Sequence, residues 1–197
     1  MMRVYLASQS PRRQELLRQV GVEFVPLPMS APEGVRAGEA PRDYVLRLAR
    51  EKARMAYAEI SRRALPPLPV LGADTAVVVD GDILGKPTDR PHGLQMLRRL
   101  SGRAHEVLTG ICLIHRAIGG ETPREQADVS ESRVVFGDVD DDAAAWYWGT
   151  GEPLDKAGGY AIQGLGARFV ARLEGSYSGV MGLPLFELTR LLQRIES

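Results

Sequence analysis

The sequence predicts an α/β protein built on a mixed β-sheet, and two patterns support that prediction. Short apolar runs bounded by turn residues alternate with segments of helical periodicity along the chain. The segment 70–87 contains two strand-like runs joined at Asp80-Gly81, a dipeptide typical of hairpins, so antiparallel pairing accompanies the strand-helix steps. A sheet with both kinds of connection is mixed and is flanked by helices.

The elements are predicted from local signals in chain order. The apolar run 4–7 predicts a buried strand, and Ser10 followed by Pro11 is typical of the N-cap and first position of a helix that closes at Gly21. A strand at 22–27, a loop at 28–40 and a long helix at 41–63 follow. The pattern then predicts helices at 91–100, 143–148 and 185–195, strands at 105–115, 132–136 and 168–173, and a turn at Gly119-Gly120.

Composition limits the class of protein. The 197 residues fit one domain spanning 1–197, and 44% of them are apolar. Basic and acidic residues number 25 each without a basic block, so binding to nucleic acid is not expected. Cys112 is the single cysteine, no signal-peptide pattern is evident and no apolar run approaches the roughly 18 residues of a membrane span, so we expect a cytoplasmic protein without membrane contact. Apolar residues in the predicted loops are compatible with a homodimer.

Two arginines occupy an unusual place at the start of the first helix. Arg12 and Arg13 lie in its first turn, where the partial positive charge of the helix N-terminus favours carboxylates over cations. A Ser-rich turn between a strand and a helix presents converging backbone N–H groups, and guanidinium groups add bidentate donors suited to phosphate. The residues alone equally allow solvated arginines or a pair with Glu15.

A lysine interrupts the apolar face of the predicted helix 41–63. Lys52 follows Val45 by seven residues and Leu48 by four, so it lies on the same face as both. A lysine at such a position commonly extends to the edge of the apolar face. The alternative is that Lys52 projects into a cleft that holds an anion.

An aspartate interrupts the first strand of the predicted hairpin. Asp74 is surrounded by apolar residues, and its burial without a partner would cost several kcal/mol. With a two-residue turn, Thr75 lies opposite Lys86, which makes Lys86 the expected neighbour of Asp74. Such a pair is either structural, at the end of a sheet, or part of a site.

Three further features are ambiguous on their own. Glu33 lies in the loop 28–40, where an exposed acid is the ordinary explanation. The segments 155–164 ("DKAGGYAIQG") and 175–184 ("GSYSGVMGLP") are rich in glycine. Glycine permits positive φ or close approach of the backbone to a ligand, but it also suits ordinary surface loops.

As a set, these residues favour a site for a polyphosphate. The set comprises the cations Arg12, Arg13, Lys52 and Lys86, the acids Glu33 and Asp74, and the Ser-rich turn. No Ser-His or Cys-His nucleophile pattern accompanies them. Because Mg²⁺ is typically held by one or two protein carboxylates together with phosphate oxygens, the set predicts metal-assisted attack on a polyphosphate.

Six motifs, in order and across essentially the whole chain, resemble the Maf family of nucleoside triphosphate pyrophosphatases. They are "LASQSPRRQELL", "RLAREKA", "GADT", "GKP", "DKAGGYAIQG" and "GVMGLPL". The resemblance implies hydrolysis of a nucleotide between its α- and β-phosphates, which gives a monophosphate and pyrophosphate. It also implies an elongated mixed sheet with a cleft between two lobes, as in ITPase-like enzymes.

The resemblance also implies roles for single residues. By motif, Ser8, Ser10, Arg12 and Arg13 match the phosphate-binding turn, Lys52 and Lys86 the two lysines of the cleft, Glu33 the loop acid, Asp74 the general base, and Thr75 and Gln163 the positions tied to substrate choice. A divalent cation, Mg²⁺ or Mn²⁺, would be held by Glu33 and Asp74. Pro32 departs from the pattern, because an acid is expected before Glu33.

The run "DKAGGYAIQG" resembles the branch that prefers dTTP and UTP. An amide such as that of Gln163 is able to accept from N3–H of thymine or uracil while it donates to O4. One alternative is the same reaction on 7-methyl-GTP or another base. A second alternative, of a different class, is a nucleotide-binding regulator of cell division with little catalysis, although pure binding does not require an acid beside the phosphates.

Overall fold

The computed structural model describes residues 2–116 and 122–196. The strands are β1 Arg3–Leu6, β2 Glu23–Pro26, β3 Val70–Val79, β4 Asp82–Leu84, β5 Ala104–Arg116, β6 Pro123–Phe136 and β7 Val170–Glu174. The α-helices are α1 Pro11–Gln19, α2 Pro41–Arg62, α3 Arg90–Leu100, α4 Asp141–Gly149, α5 Tyr177–Met181 and α6 Leu185–Glu196. Short 3₁₀ segments occur at Glu152–Asp155, Ala157–Gly159 and Leu165–Phe169.

The seven strands form one mixed sheet, which confirms the predicted fold class. The order is β2-β1-β3-β5-β6-β7, with β4 paired to β3. Strand β1 is parallel to β2 and β3, whereas β4, β5, β6 and β7 pair antiparallel. The predicted hairpin is confirmed, because Val79 pairs with Asp82 and both turn residues, Asp80 and Gly81, have positive φ, which suits a two-residue connection.

Helices cover both faces of the sheet. Helix α2 buries small and aliphatic side chains, among them Val45, Leu48 and Ala49, against β3 and β5. On the opposite face, α1 and α6 pack against the same strands, since Leu16 and Leu191 share a cluster with β3 and β5 residues. The predicted helical faces were slightly too wide. Val20 and Met55, whose spacing in the sequence places them on the apolar faces of the predicted first helix and of the predicted helix 41–63, are 40% and 41% exposed.

Strand β6 is much longer than the predicted strand 132–136, and that prediction was wrong at its N-terminal end. The strand begins at Pro123 and pairs with β5 along its whole length, from Arg116↔Pro123 to Ala104↔Val135. Its first half is mostly polar and is exposed or half-buried, so the apolar alternation that predicts a strand is missing there. Backbone pairing to the long strand β5 supplies the stability instead. The predicted turn at Gly119-Gly120 lies outside the described residues.

The sheet opens along one edge of β3. Strand β1 pairs with β3 at Val70 and Leu71, and β4 pairs with β3 only from Val77 onward. Among the described strands none pairs with the stretch between them on that side, which contains Asp74 and Thr75. The end of β1 and the start of α1 lie beside this stretch. In open α/β sheets, ligands bind at such a point, where the connections leave a strand in opposite directions.

Two glycines bring α2 unusually close to the sheet. A Cβ at Gly72 would lie 2.2 Å from the Ala49 carbonyl oxygen, and one at Gly110 would lie 2.6 Å from the Val45 carbonyl oxygen. These distances are well below van der Waals contact, so no side chain fits at either glycine and the helix backbone packs directly on β3 and β5. Within the described residues, every helix is too short or too polar to cross a membrane.

Candidate active site

A cleft of about 910 Å³ opens at the free edge of β3. Residues of the segments 7–13, 28–33, 83–86 and 152–164 line it. All the residues predicted for the site line this one cleft: Ser8, Ser10, Arg12, Arg13, Glu33, Lys52, Asp74, Thr75, Lys86 and Gln163. The structure therefore brings together residues from six separate parts of the sequence.

An ion triad lies at the base of the cleft. Lys52 Nζ contacts Asp74 Oδ1 at 2.5 Å and Glu33 Oε1 at 3.2 Å. The Lys52 and Asp74 side chains are 9% and 10% exposed, whereas Glu33 is half exposed. Lys52 thus projects from the apolar face of α2 into the cleft, and its charge is balanced by carboxylates from a strand and a loop.

Burial changes the acidity of the groups around this triad. Burial raises the pKa of Asp74, and the nearby Lys52 and Arg13 charges oppose that rise. Burial, together with the Asp74 and Glu33 carboxylates, raises the pKa of Tyr44 to about 12. Asp74 is therefore a stronger base than an ordinary carboxylate, and Tyr44 stays protonated as a hydrogen-bond donor.

Lys86 does not pair with Asp74, so our expectation for that neighbour was wrong. Strand β4 ends at Leu84, two residues before Lys86, and the hairpin ladder does not reach Thr75. Lys86 is 57% exposed and lies 3.9 Å from Glu33. The buried cation beside Asp74 comes from α2, which is distant in sequence and which no strand register reveals.

Arg13 is held in place by three hydrogen bonds. Its Nε donates to the Gly182 carbonyl at 2.7 Å, Nη1 donates to Ser8 Oγ at 3.1 Å, and Nη2 donates to Thr75 Oγ1 at 3.2 Å. Burial lowers the pKa of Arg13, with the Asp74 charge opposing. The alternative that the sequence left open, a solvated arginine or a pair with Glu15, was wrong for Arg13.

The Ser-rich turn has the predicted form. Ser10 caps α1 and accepts from the Arg13 amide, Pro11 occupies the first turn, and the Ser10 amide donates to Ser8 Oγ at 3.2 Å. Arg12 also lines the cleft. Burial lowers its pKa, and the Asp155 carboxylate opposes this change. The helix N-terminus and two guanidinium groups thus converge on one end of the cleft.

Three charged residues line the cleft that sequence reasoning did not select. They are Glu152, Asp155 and Lys156, and the Lys156 ammonium contacts Asp155. A signal was available for Asp155 and Lys156, because they begin the glycine-rich run "DKAGGYAIQG". We had interpreted that run only through its glycines and Gln163.

Glu152 also fixes the loop that carries Gln163. Its carboxylate accepts from the Leu165 amide at 2.9 Å, the Gly166 amide at 3.0 Å and the Tyr147 hydroxyl at 2.6 Å. Although burial alone would raise the pKa of Glu152, these donors lower it. The same Tyr147 oxygen accepts from the Ala161 amide at 3.1 Å. The loop is therefore bound on both sides of Gln163.

The loop that carries Glu33 is anchored in a similar way from α2. The Tyr44 hydroxyl donates to the Glu33 carbonyl at 3.0 Å, and Arg47 donates to the Gly34 carbonyl at 3.0 Å. Arg47 also holds Glu39 at the other end of the loop, and this hydrogen bond lowers the pKa of Glu39 to about 2. One face of one helix therefore orders the loop and supplies Lys52.

The described residues contain no group of three His, Cys, Asp or Glu side chains arranged to hold a metal ion. The cleft offers a pair of carboxylates instead, Glu33 and Asp74, both of which contact Lys52. Carboxylate oxygens are the donors that Mg²⁺ and Mn²⁺ prefer, and one or two suffice when phosphate oxygens complete the shell. The donor set therefore fits a divalent cation that binds together with a phosphate ligand.

Comparisons with known proteins identify the family. The protein from Alkalilimnicola ehrlichii named dTTP/UTP pyrophosphatase is 50% identical over 98% of this chain and 93% of that one. A protein of the same name from Anaeromyxobacter dehalogenans is 52% identical, also over 98% of this chain and 93% of that one. Among solved structures, the Ham1 protein of Staphylococcus aureus has a TM-score of 0.43 at 12% identity, over 68% of this chain and 71% of that one. The family model described as "Maf-like protein" matches residues 3–195, and the chain belongs to that family.

Proposed function

We propose that this protein hydrolyses nucleoside triphosphates to the monophosphate and pyrophosphate, with dTTP and UTP as its preferred substrates. One observation carries the proposal: a buried carboxylate, Asp74, lies beside the Lys52 ammonium in a cleft that also holds the helix N-terminus and Arg13. Curated relatives at 50% and 52% identity that bear the name dTTP/UTP pyrophosphatase support the same conclusion.

The cationic end of the cleft would bind the phosphate chain. The α1 N-terminus carries the partial positive charge of the helix dipole, and Arg12, Arg13 and Lys86 add full positive charges around it. Because Arg13 is already fixed by three hydrogen bonds, its remaining N–H groups are oriented before the ligand arrives. These cations would stabilise the charge that develops on the departing pyrophosphate.

Asp74 would act as the general base. Its oxygen accepts the proton of a water molecule as that water attacks the α-phosphorus, and the bond from this phosphorus to the bridging oxygen breaks to release pyrophosphate. Burial raises the pKa of Asp74, the Lys52 ammonium opposes that rise, and the hydrogen bond from Lys52 orients the carboxylate. A base with a raised pKa captures a proton more readily near neutral pH.

The carboxylates of Glu33 and Asp74 would hold a divalent cation, Mg²⁺ or Mn²⁺, when a phosphate ligand is bound. When bound, it would supply Lewis-acid polarisation of the phosphate oxygens. Glu33 suits this role because its side chain is half exposed while its backbone is held by Tyr44. Lys52 would then share both carboxylates with the cation.

Gln163 would recognise the base. Its amide pairs with N3–H and O4 of thymine or uracil, and a flipped amide would fit cytosine equally well unless the loop holds it. The Glu152 and Tyr147 contacts on both sides of Gln163 fix the backbone of that loop, and this limits where the amide meets the base. We further propose that residues 1–197 form one domain, since residues from position 7 to position 182 line the cleft. We also propose that the protein acts on the cytoplasmic nucleotide pool.

A panel of triphosphates with Mg²⁺ tests the proposal, with pyrophosphate and nucleotide products separated by chromatography. We expect dTTP and UTP to be hydrolysed fastest and Asp74→Asn to lower kcat by about 10²–10⁴. Asp82→Asn, an exposed acid on the same hairpin, is the matched control and should keep full activity. Preferred turnover of 7-methyl-GTP would change the base assignment, and nucleoside diphosphate as product would move the attack to the γ-phosphate. Tight binding without turnover would favour a regulator.

A further inference from the structure

A chain of hydroxyl groups connects the interior of the sheet to Arg13. Thr109 Oγ1 lies 2.8 Å from the Gly179 carbonyl oxygen and 2.8 Å from Thr75 Oγ1. Thr75 Oγ1 lies in turn 3.2 Å from Arg13 Nη2. Thr109 and Thr75 are directly opposite each other on β5 and β3, so the strand register fixes this contact.

The donor and the acceptor of each hydrogen bond in this series of hydroxyl groups follow from the chemistry of the groups at its two ends. A carbonyl oxygen only accepts, so the single hydroxyl proton of Thr109 is donated to the Gly179 carbonyl. In the contact between the two hydroxyl groups, Thr109 is therefore the acceptor and Thr75 donates its single proton. A guanidinium only donates, so Arg13 donates to Thr75. The hydroxyl of Thr75 therefore has no proton left for a substrate.

The series of hydroxyl groups ends at the Arg13 guanidinium, which several groups hold in place. Arg13 also donates to Gly182, which follows α5, and α5 contains the Gly179 acceptor. A Cβ at Gly182 would lie 3.4 Å from Thr75 Oγ1 and 3.6 Å from Arg13 Nε, so these groups are packed together. Any shift of Thr75 is thus transmitted to the guanidinium.

Thr109 is separate from the cleft itself. It is fully buried at 0% exposure, and it is absent from the described residues that line the cleft, whereas Thr75 lines it. Asp74 and Thr75 are adjacent in β3, so their side chains point to opposite faces of the sheet. Thr75 faces Arg13, whereas Asp74 faces Lys52 of α2.

We propose that Thr75 and Thr109 are positioning residues that orient Arg13 for the phosphate chain, and that Thr75 does not select the base. The inference rests on the proposed function, since it assigns Arg13 to phosphate. It adds Thr109, a residue outside the cleft, to the groups on which turnover depends. Recognition of the base through donation by Thr75 would need the proton that the hydrogen bond to Thr109 uses. Recognition through acceptance would compete with Arg13 for the same oxygen.

The test compares Thr75→Val and Thr109→Val, which keep side-chain shape and remove the hydroxyl. Thr109→Ser keeps the hydroxyl, and Thr189→Val, whose hydroxyl bonds Leu185 on the exposed face of α6, is the matched control. Kinetic constants are measured for dTTP, UTP and CTP. Affinity for inorganic tripolyphosphate, which has no base, is measured by calorimetry, and melting curves report folding.

We expect both valine variants to lower kcat/KM for all three nucleotides by the same factor, on the order of tenfold to a hundredfold, and to weaken tripolyphosphate binding. The ratio between nucleotides stays constant, and Thr109→Ser and Thr189→Val behave like wild type. If Thr109→Val does not fold, Thr75→Val, which changes a side chain at the cleft wall, gives the same comparison.

Two results would overturn the inference. One is a change in the dTTP-to-CTP ratio in Thr75→Val, which assigns base recognition to Thr75. The other is wild-type kinetics and wild-type tripolyphosphate affinity in Thr109→Val. Failure of the proposed function looks different, because the wild-type protein itself would then release no pyrophosphate, while tripolyphosphate binding still reports whether the threonines orient Arg13.

Discussion

Replacing Lys52 by methionine removes the cation from the triad while keeping most of the apolar stem of the side chain. Loss of one member of a buried ion pair costs about 3–5 kcal/mol, because the remaining charge is left buried without a partner. Asp74 is that remaining charge, at 10% exposure, whereas Glu33 is half exposed and able to turn toward water. We therefore expect Lys52→Met to lower the free energy of unfolding by about 3 kcal/mol near neutral pH, the lower end of that range.

The loss should depend on pH in a defined direction. Burial already raises the pKa of Asp74, and Lys52 is the largest influence that lowers it. Without Lys52 the pKa in the folded state rises further above its unfolded value. A carboxyl of this kind contributes stability that is fully present below the unfolded pKa and is lost as pH rises through the folded pKa. The deficit of Lys52→Met should therefore shrink on acidification.

Urea unfolding, followed by fluorescence of Trp146 and Trp148 at about pH 5 and about pH 8, measures both effects. Lys86→Met is the matched control, since Lys86 is 57% exposed and its replacement should change stability by less than about 0.5 kcal/mol. Adding Asp74→Asn to Lys52→Met neutralises the buried carboxylate and should restore part of the stability. The reasoning is refuted if Lys52→Met matches Lys86→Met at about pH 8, or if the double variant is less stable than Lys52→Met.

Three further outcomes are expected. Gly72→Ala should destabilise the fold by about 1–3 kcal/mol or more in urea titrations, because its Cβ would lie 2.2 Å from the Ala49 carbonyl oxygen. Tyr147→Phe should raise turnover of CTP relative to UTP, since it frees the loop around Gln163; an unchanged ratio in a competition assay would contradict this. Treatment with a chelator should abolish pyrophosphate release and Mg²⁺ should restore it, whereas full activity in the chelated sample would remove the divalent cation from the proposal.

The local signals in the sequence were sufficient for most of the fold. The hairpin turn, the Ser10 cap and the helix α2 are specified by residues within a few positions of each other, and the structure has them where the patterns predicted. Strand β6 shows where such signals fail. Its polar first half is a strand because β5 offers a long partner, and pairing of that kind is not encoded in the periodicity of the segment itself.

Most of the charged residues that line the cleft could be selected from the sequence, but the partner of each could not. Charged residues in apolar patterns, such as Lys52 and Asp74, are conspicuous because burial requires a partner. Which partner each one finds depends on tertiary contacts, so Lys86 was an incorrect choice for Asp74. Glu152 was missed for the opposite reason. It lies in a polar segment where an acid is unremarkable, and only its three donors reveal its role.

The packing of α2 explains why Lys52 reaches Asp74 at all. Gly72 precedes Asp74 by two residues on the same face of β3, and Gly110 is directly opposite Asp74 on β5. Because neither glycine has a side chain, α2 rests against the backbone of both strands. At an ordinary separation of helix and sheet, a layer of side chains would lie between them and the 2.5 Å contact would lengthen. Gly110→Ala, which changes no charged group, should therefore lower turnover as well as stability, since it moves the helix that holds the ammonium.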